Sequence, residues 1–140
     1  MVEAPTIITP IHNSISNTLT QTAIATPFAF KGVLQTHLKS RWELATDFNF
    51  TNQVDYYEGT DYLTQWTPVS LNGDTQYFLR VKYQGSDLNW SEWSAPCEFK
   101  TFNTRRWVVK VTGTEHEELY DVAIDSQNYI YVVGNETTKI

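Results

Sequence analysis

The stretch that decides the fold is Tyr77-Phe78-Leu79-Arg80-Val81-Lys82-Tyr83. Its odd-numbered positions are apolar or aromatic, and two of its three even-numbered positions are cationic. This period of two predicts a β-strand with one face in a core and its charged side chains on the other face. The stretch 38–45 alternates in the same way, with Trp42 on the apolar face and Lys39, Arg41 and Glu43 on the face expected to be exposed.

The rest of residues 1–102 reads as short β-type runs between turn residues such as Pro10, Gly59, Pro68 and Asn72-Gly73-Asp74. No segment keeps an apolar period of 3.6 residues for about ten residues, so no helix is predicted. The predicted strands lie at 6–9, within 19–30, and at 38–45, 53–58, 62–67, 77–83 and 93–102. Short strands at this spacing, with a Trp on the third, are typical of an all-β sandwich of about 100 residues.

The composition changes after residue 102. Residues 103–106 are polar and basic, and three strand-like runs follow at 107–112, 120–124 and 129–133. We predict a β-meander over residues 103–140, too small to bury a core of its own. Because a polar linker separates it from a sandwich with its own core, we expect its apolar residues to form an intermolecular assembly surface. These residues are Trp107, Val109, Val111, Tyr120, Val122, Ile124, Ile130 and Val132.

Charge and cysteine content exclude several classes of protein. The 140 residues carry a formal net charge of −6, which argues against nucleic acid or an anionic membrane as a partner. The single cysteine, Cys97, excludes an intrachain disulfide and a multi-cysteine metal site. No apolar run approaches the ~20 residues of a membrane span, and the N-terminus has no visible secretion signal. We therefore expect synthesis in a cytoplasm and no membrane insertion.

Several of these residues resemble the pattern of fibronectin type III domains, a family of immunoglobulin-like sandwiches. Leu71 and Tyr77 resemble its tyrosine corner, in which a tyrosine hydroxyl hydrogen-bonds back to the preceding crossover. Trp42 resembles the core Trp of its third strand, and 77–83 resembles its penultimate strand. Trp90-Ser91-Glu92-Trp93-Ser94 is a WSxWS box, which is found in cytokine receptors and in other domains of this fold.

A longer set of stretches resembles a fibronectin III-like module of tailed-phage virion and fibre proteins. These stretches are 42–47, 50–52, 63–64, 77–83, 85–86, 89–94 and 99–101. The resemblance implies a structural component of a tail, baseplate, fibre or capsid decoration. It also implies location in the virion, with other virion proteins or identical subunits as partners.

The segments 107–110, 120–126 and 128–134 resemble a single β-propeller repeat of bacterial and phage surface proteins. Gln127 stands where that pattern usually has glycine, so the turn departs from it. A blade of this kind is stable within a closed ring of about 4–8 blades, which strengthens the expectation that this segment docks on a partner.

The box also has a physical interpretation that needs no family. Trp90 and Trp93 can lie over the outward face of the neighbouring strand, where Arg80 and Lys82 point, and form cation–π contacts. The alternative is an aromatic platform for a ligand such as a sugar ring.

The sequence predicts no catalytic set, cofactor or metal site. His12, His37 and His116 lie far apart in the sequence, and the run 115–118 lacks the second histidine of a helical zinc site. The alternative function is a bacterial surface or prophage-derived adhesion module that binds carbohydrate, with a host-surface glycan as its partner. Its candidate platform is Tyr56, Tyr57, Tyr62 and Trp66, which could equally belong to the core or to a subunit interface.

Overall fold

The computed structural model describes residues 1–69, 71–102, 117–124 and 130–136, the last two ranges as strands only. The chain divides into two compact units, Met1–Thr104 and Arg105–Ile140. The predicted boundary, after residue 102, lies close to this division.

The described residues of the first unit form eight strands in two sheets. The smaller sheet has the order β1-β3-β6 and the larger has the order β2-β8-β7-β4-β5. Every neighbouring pair in both sheets is antiparallel except β2 and β8, which are parallel. The strands are β1 Ile7–Thr9, β2 Ser14–Ser16, β3 Ala23–Ala25, β4 His37–Ala45, β5 Gln53–Gly59, β6 Gln65–Trp66, β7 Gln76–Gly85 and β8 Cys97–Thr101.

The core lies between the two sheets and draws on both. The smaller sheet contributes Ala23, Ala25 and Trp66, and the larger contributes the alternate apolar residues of β4, β7 and β8. Trp42 is fully buried at the centre, and its indole N–H donates to the carbonyl of Tyr62 at 2.8 Å. The all-β sandwich predicted from the alternation is therefore confirmed.

The strands with the clearest alternation are observed close to their predicted limits, and the weaker ones are shorter. The stretch 19–30 forms only β3, the stretch 62–67 forms only β6, and 93–102 forms β8 from Cys97 onward. The sequence analysis missed β2, because only three residues contribute and their pairing partner, β8, is distant in the sequence.

Two positions of β4 depart from the predicted faces: Leu38, the first residue of the predicted apolar face, is 38% exposed, and Glu43 is buried. Glu43 was expected to be exposed with Lys39 and Arg41, but it is only 4% exposed. Its carboxylate accepts hydrogen bonds from Arg41 and Arg80, which satisfy a charge that could not otherwise be buried cheaply.

The second unit is described as an antiparallel pair, β9 Glu117–Ile124 and β10 Ile130–Glu136, with a register shift at Val133 and Gly134. The register pairs Ile130 with Ile124 and Val132 with Val122, four of the residues in the predicted assembly surface. The predicted strand 107–112, with Trp107, Val109 and Val111, lies outside the described residues, and the predicted turn at 125–128 does too.

The described part of the chain contains no helix, and therefore none that could cross a membrane.

Candidate functional site

The candidate site is the outer face of the five-stranded sheet, and it begins with the register of β4 and β7. Arg41 is paired with Lys82, and Glu43 with Arg80. Because side chains alternate along a strand, the intervening residues, such as Trp42, turn into the core. The result is a row of charged side chains held at fixed spacing by a rigid pair of strands.

The two serines of the WSxWS box attach the segment after β7 to the free half of that strand. Ser91 N–H donates to the carbonyl of Tyr83 at 2.8 Å, and Ser91 Oγ accepts from Tyr83 N–H at 3.0 Å. Ser94 repeats both bonds with Val81, at 2.8 and 3.1 Å. The two serines are three residues apart in the box, and their partners are two residues apart in β7. Each serine is preceded by a tryptophan, so Trp90 and Trp93 occupy equivalent positions along the strand.

These positions build an alternating stack, which we call the cation–aromatic ladder. Arg80 lies with its guanidinium carbon 4.0 Å from the ring centroid of Phe50 and 4.2 Å from that of Trp93. Lys82 Nζ lies 4.7 Å from the centroids of both Trp93 and Trp90. Lys39 Nζ completes the stack at 5.2 Å from Trp90. The ladder therefore runs Phe50, Arg80, Trp93, Lys82, Trp90, Lys39.

This arrangement places both indoles on the outer face, with Arg80 within the 6 Å that the cation–π interpretation requires. Trp93 has a cation contact from Arg80 and another from Lys82. A sugar ring stacking on that indole would have to compete with these two cations. The geometry thus favours a stiffening role for the box over a ligand platform.

Carboxylates tie the ladder to the neighbouring strands. Glu43 accepts from Arg80 at 2.6 Å and from Arg41 at 2.8 Å. Glu58 on β5 accepts from Lys39 at 2.7 Å and from Arg41 at 3.2 Å. The hydrogen bond from Lys39 is the main reason that the pKa of Glu58 lies below its usual range. The face thus carries a connected network rather than isolated ion pairs.

Phe50 and Asp47 were missed in the sequence analysis. Phe50 has a positive φ of 57°, which is uncommon for a residue with a side chain. The turn that presents it is held by Asp47, whose carboxylate accepts from the N–H groups of Thr51 and Asn52. These hydrogen bonds, that from Asn52 first, hold the pKa of Asp47 below its usual range. The signal in the sequence was an Asp shortly before Asn49, Thr51 and Asn52, since Asp side chains accept hydrogen bonds from nearby backbone N–H groups in turns.

The structure places Tyr77 and Leu71 in a tyrosine corner. Tyr77 is buried and its ring stacks on Phe99, with centroids 5.7 Å apart. Its hydroxyl oxygen accepts a hydrogen bond from the N–H of Asn72 at 3.0 Å. In this corner the backbone N–H is therefore the donor and the tyrosine hydroxyl the acceptor. Leu71 is buried beside it, and its N–H donates to the carbonyl of Leu19.

The four residues of the candidate carbohydrate platform do not come together. Trp66 is only 4% exposed and packs near Trp42, so of the alternatives open for this residue it belongs to the core. Tyr56 is 60% exposed and lies near Arg41 on the outer face. Tyr57 and Tyr62 meet edge to face, with centroids 4.8 Å apart, and do not form a flat stacking surface.

Two further titratable groups are explained by packing. His37 lies between Phe28 and Tyr83, at centroid distances of 4.8 and 4.3 Å, and burial lowers its pKa. Burial raises the pKa of Cys97 to about 11, so its thiol stays protonated and poorly nucleophilic. Among the residues that the structure describes, no three His, Cys, Asp or Glu side chains form a group that could hold a metal ion.

No protein family model matches the chain, and no curated protein matches it. Two solved structures do. One is the Streptomyces avermitilis α-L-rhamnosidase complexed with L-rhamnose, with a TM-score of 0.55 and 17% identity over 73% of this chain. The chain spans only 11% of the length of that enzyme. The other is a fibronectin type III domain derived from human KIAA0970 protein, with a TM-score of 0.51 and 12% identity, covering 82% of this chain and 85% of that domain.

The fold and the second comparison define the class of the first unit. It is an immunoglobulin-like β-sandwich of the fibronectin type III-like kind, as the resemblance in the sequence implied. At these identities the comparisons establish the fold alone.

Proposed function

We propose that the chain is a non-enzymatic structural component of a bacteriophage virion, in its tail, baseplate, fibre or capsid decoration. It would act there as an assembly module that binds other virion proteins or identical subunits. The phage context is supported by the resemblance of the stretches between residues 42 and 101 to modules of tailed-phage proteins. The sandwich would supply a rigid body, and the second unit would supply the contact.

The observation that carries the assembly role is the second unit. Its described part is a two-stranded antiparallel sheet, in which Ile124, Ile130, Val122 and Val132 pair with one another. A two-stranded sheet alone is marginally stable in water, so it needs a further surface to pack on. Its resemblance to one β-propeller repeat supports the same need, since we take the segment to be a blade-like element completed by a partner.

The virion assignment is tested by the protein content of purified particles. Phage particles from a culture that expresses the chain are purified by density-gradient centrifugation and analysed by quantitative mass spectrometry. We expect the chain at a fixed ratio to the major capsid protein, and at a far higher ratio than abundant host proteins carried through the same gradient. Recovery of the chain in the host-cell fraction alone would refute the assignment.

The assembly role is tested separately with the full chain and a version that ends at Thr104. The cut follows the unit boundary and keeps Phe102, which is hydrogen-bonded to Ser16 and Asp74. We expect the truncated form to be a monomer by light scattering, and the full chain to assemble. A full chain that remains a monomer, with strands β9 and β10 protected from hydrogen exchange, would contradict the role.

The second candidate is a bacterial surface or prophage-derived adhesion module that binds carbohydrate. The exposed ring of Tyr62, 46% accessible, is the observation that favours it. A glycan array probed with the full chain tests this, with Tyr62→Ala as the matched control. Binding that is lost in Tyr62→Ala would favour adhesion, and an array without binding would remove this candidate.

A further inference from the structure

The charge of this acidic chain is distributed very unevenly. Residues 1–102 contain six Lys and Arg residues, and four of them lie together on the outer face of β4 and β7. We call these four the basic strip: Lys39, Arg41, Arg80 and Lys82. The other two, Lys31 and Lys100, lie elsewhere and are paired with Glu3 and Asp74.

The basic strip is only partly neutralised by its neighbours. Two carboxylates, Glu43 and Glu58, form ion pairs with three of its cations. Within the described residues Lys82 has no carboxylate partner, and its ammonium contacts only the indoles of Trp90 and Trp93. Cation–π contacts leave the full charge in place, so the strip keeps an excess of positive charge.

The complementary charge lies in the C-terminal part of the chain. Strands β9 and β10 contain four carboxylates and no Lys or Arg, whereas the flanking residues 105–110 and 139 carry four Lys and Arg. Two of these carboxylates, Glu117 and Glu118, begin β9, where they pair with Glu136 and Asn135 of β10. Only Glu117 and Glu136 are like charges on opposite positions, which is destabilising, so this end of the sheet gains if an external cation lies beside it.

We propose that the basic strip of one copy binds the acidic β9–β10 sheet of a second copy. This deepens the assembly role proposed above and rests on it, since it assigns the surface that receives the second unit. The contact joins two different surfaces, so it closes a two-fold dimer where it is reciprocal and otherwise propagates into a ring or an open chain. The stiff cation–aromatic ladder presents the cations already ordered, which limits the entropy lost on binding.

The test uses charge reversals in the full chain, with association followed by sedimentation velocity. Lys39→Glu with Lys82→Glu reverses the strip, and Glu117→Lys with Glu118→Lys reverses the sheet. The control is Lys31→Glu with Lys100→Glu, which makes the same change in net charge outside the strip. We expect each reversal to weaken association by roughly tenfold or more, and the control to change it little.

Mixing the two reversed variants gives the decisive measurement. In the mixture the reversed strip of one variant faces the reversed sheet of the other, and the native strip faces the native sheet. Both contacts join opposite charges, so we expect mixed assembly to return. Raising the salt from ~0.1 M to ~1 M shortens the Debye length from about 10 Å to about 3 Å and should weaken the native assembly. Circular dichroism checks that every variant keeps its fold, and Lys39→Glu alone, at the end of the ladder, serves if the double reversal unfolds.

Three outcomes would overturn the proposal. These are a full chain that is a monomer at low salt, an assembly that the strip reversal leaves intact, and reversed variants that do not associate with each other. Docking of the sheet on the strip of its own chain would give the first of these. The proposed virion role is judged by particle composition, so it can fail or stand independently of this result.

Discussion

The inner and outer faces of β4 and β7 are built from alternate residues of the same two strands, yet different interactions hold them. The inner face, with Trp42 and Val81 at 0% exposure, is stabilised by removal of apolar surface from water. The outer face is stabilised by stacked cations and rings, with a nearly buried Glu43 at its centre. The comparison indicates that truncating a side chain on the inner face leaves a cavity. On the outer face, water can replace part of the interactions that a truncated side chain made.

The largest expected effect comes from emptying the inner face. Trp42→Ala removes a fully buried indole and its hydrogen bond to the carbonyl of Tyr62. We expect it to lower the free energy of unfolding by about 3–5 kcal/mol, measured by urea denaturation. Ile15→Ala, at an exposed position, is the control and should change stability little. A Trp42→Ala loss below about 1 kcal/mol would show that the inner face is not the main source of stability.

The tyrosine corner should give the next largest effect. Tyr77→Phe keeps the ring but removes the acceptor of the Asn72 N–H, which costs about 1–3 kcal/mol if that donor stays dry. Tyr56→Phe removes a hydroxyl from an exposed ring and is the matched control. Equal unfolding free energies for the two variants would mean that water replaces the lost acceptor.

A smaller loss is expected from opening the ladder. Arg80→Ala removes the cation between Phe50 and Trp93 and one partner of Glu43, and we expect a loss of up to ~2 kcal/mol. A double-mutant cycle with Trp93→Ala separates stacking from the ion pair, because only the stacking energy is shared by the two residues. A coupling energy near zero would assign the effect to Glu43 instead.

The smallest effect concerns pH. The pKa of His37 is lowered by burial, so the unfolded chain binds a proton more readily than the folded one. The contribution of neutral His37 to the free energy of unfolding is therefore complete above about pH 6.5. It declines as the pH falls, first through the pKa of His37 in the unfolded chain and then through its lower pKa in the folded chain. Chemical denaturation at a series of pH values should show this decline in the native chain and a shallower one in His37→Gln. Parallel profiles would place the titration elsewhere.

The sequence predicts this fold best where one strand is buried on one side only. β4 and β7 were predicted because their alternation reports directly on the inner and outer faces. β2, which was missed, has only three residues, and β6 is only two residues of the predicted stretch 62–67, so no period can be recognised in either observed strand. They are strands because distant segments supply partners, which is information that a local pattern does not contain.

Most residues of the candidate site could be predicted from the sequence, but the residue that completes one end of the ladder could not. The strand and the box predict four of its residues, because the cations recur every second residue in β7 and the indoles every third residue in the box. These residues are Arg80, Lys82, Trp90 and Trp93. Phe50 could not be assigned to the ladder, because the Asp47 turn brings it there from a different part of the sequence. Glu43 was placed wrongly for the same reason: its burial depends on Arg80, which lies far away in the sequence.

The serine pairing of the box has a consequence for aggregation. β8 covers β7 only from Gln76 to Leu79, which would leave the second half of that strand as an unprotected edge. Ser91 and Ser94 occupy it, and they offer hydroxyl oxygens to the β7 N–H groups at the places where a foreign strand would offer carbonyls. A segment bonded in this way ends the sheet without presenting a regular new edge. The box therefore protects this edge of the sheet from pairing with a strand of another copy.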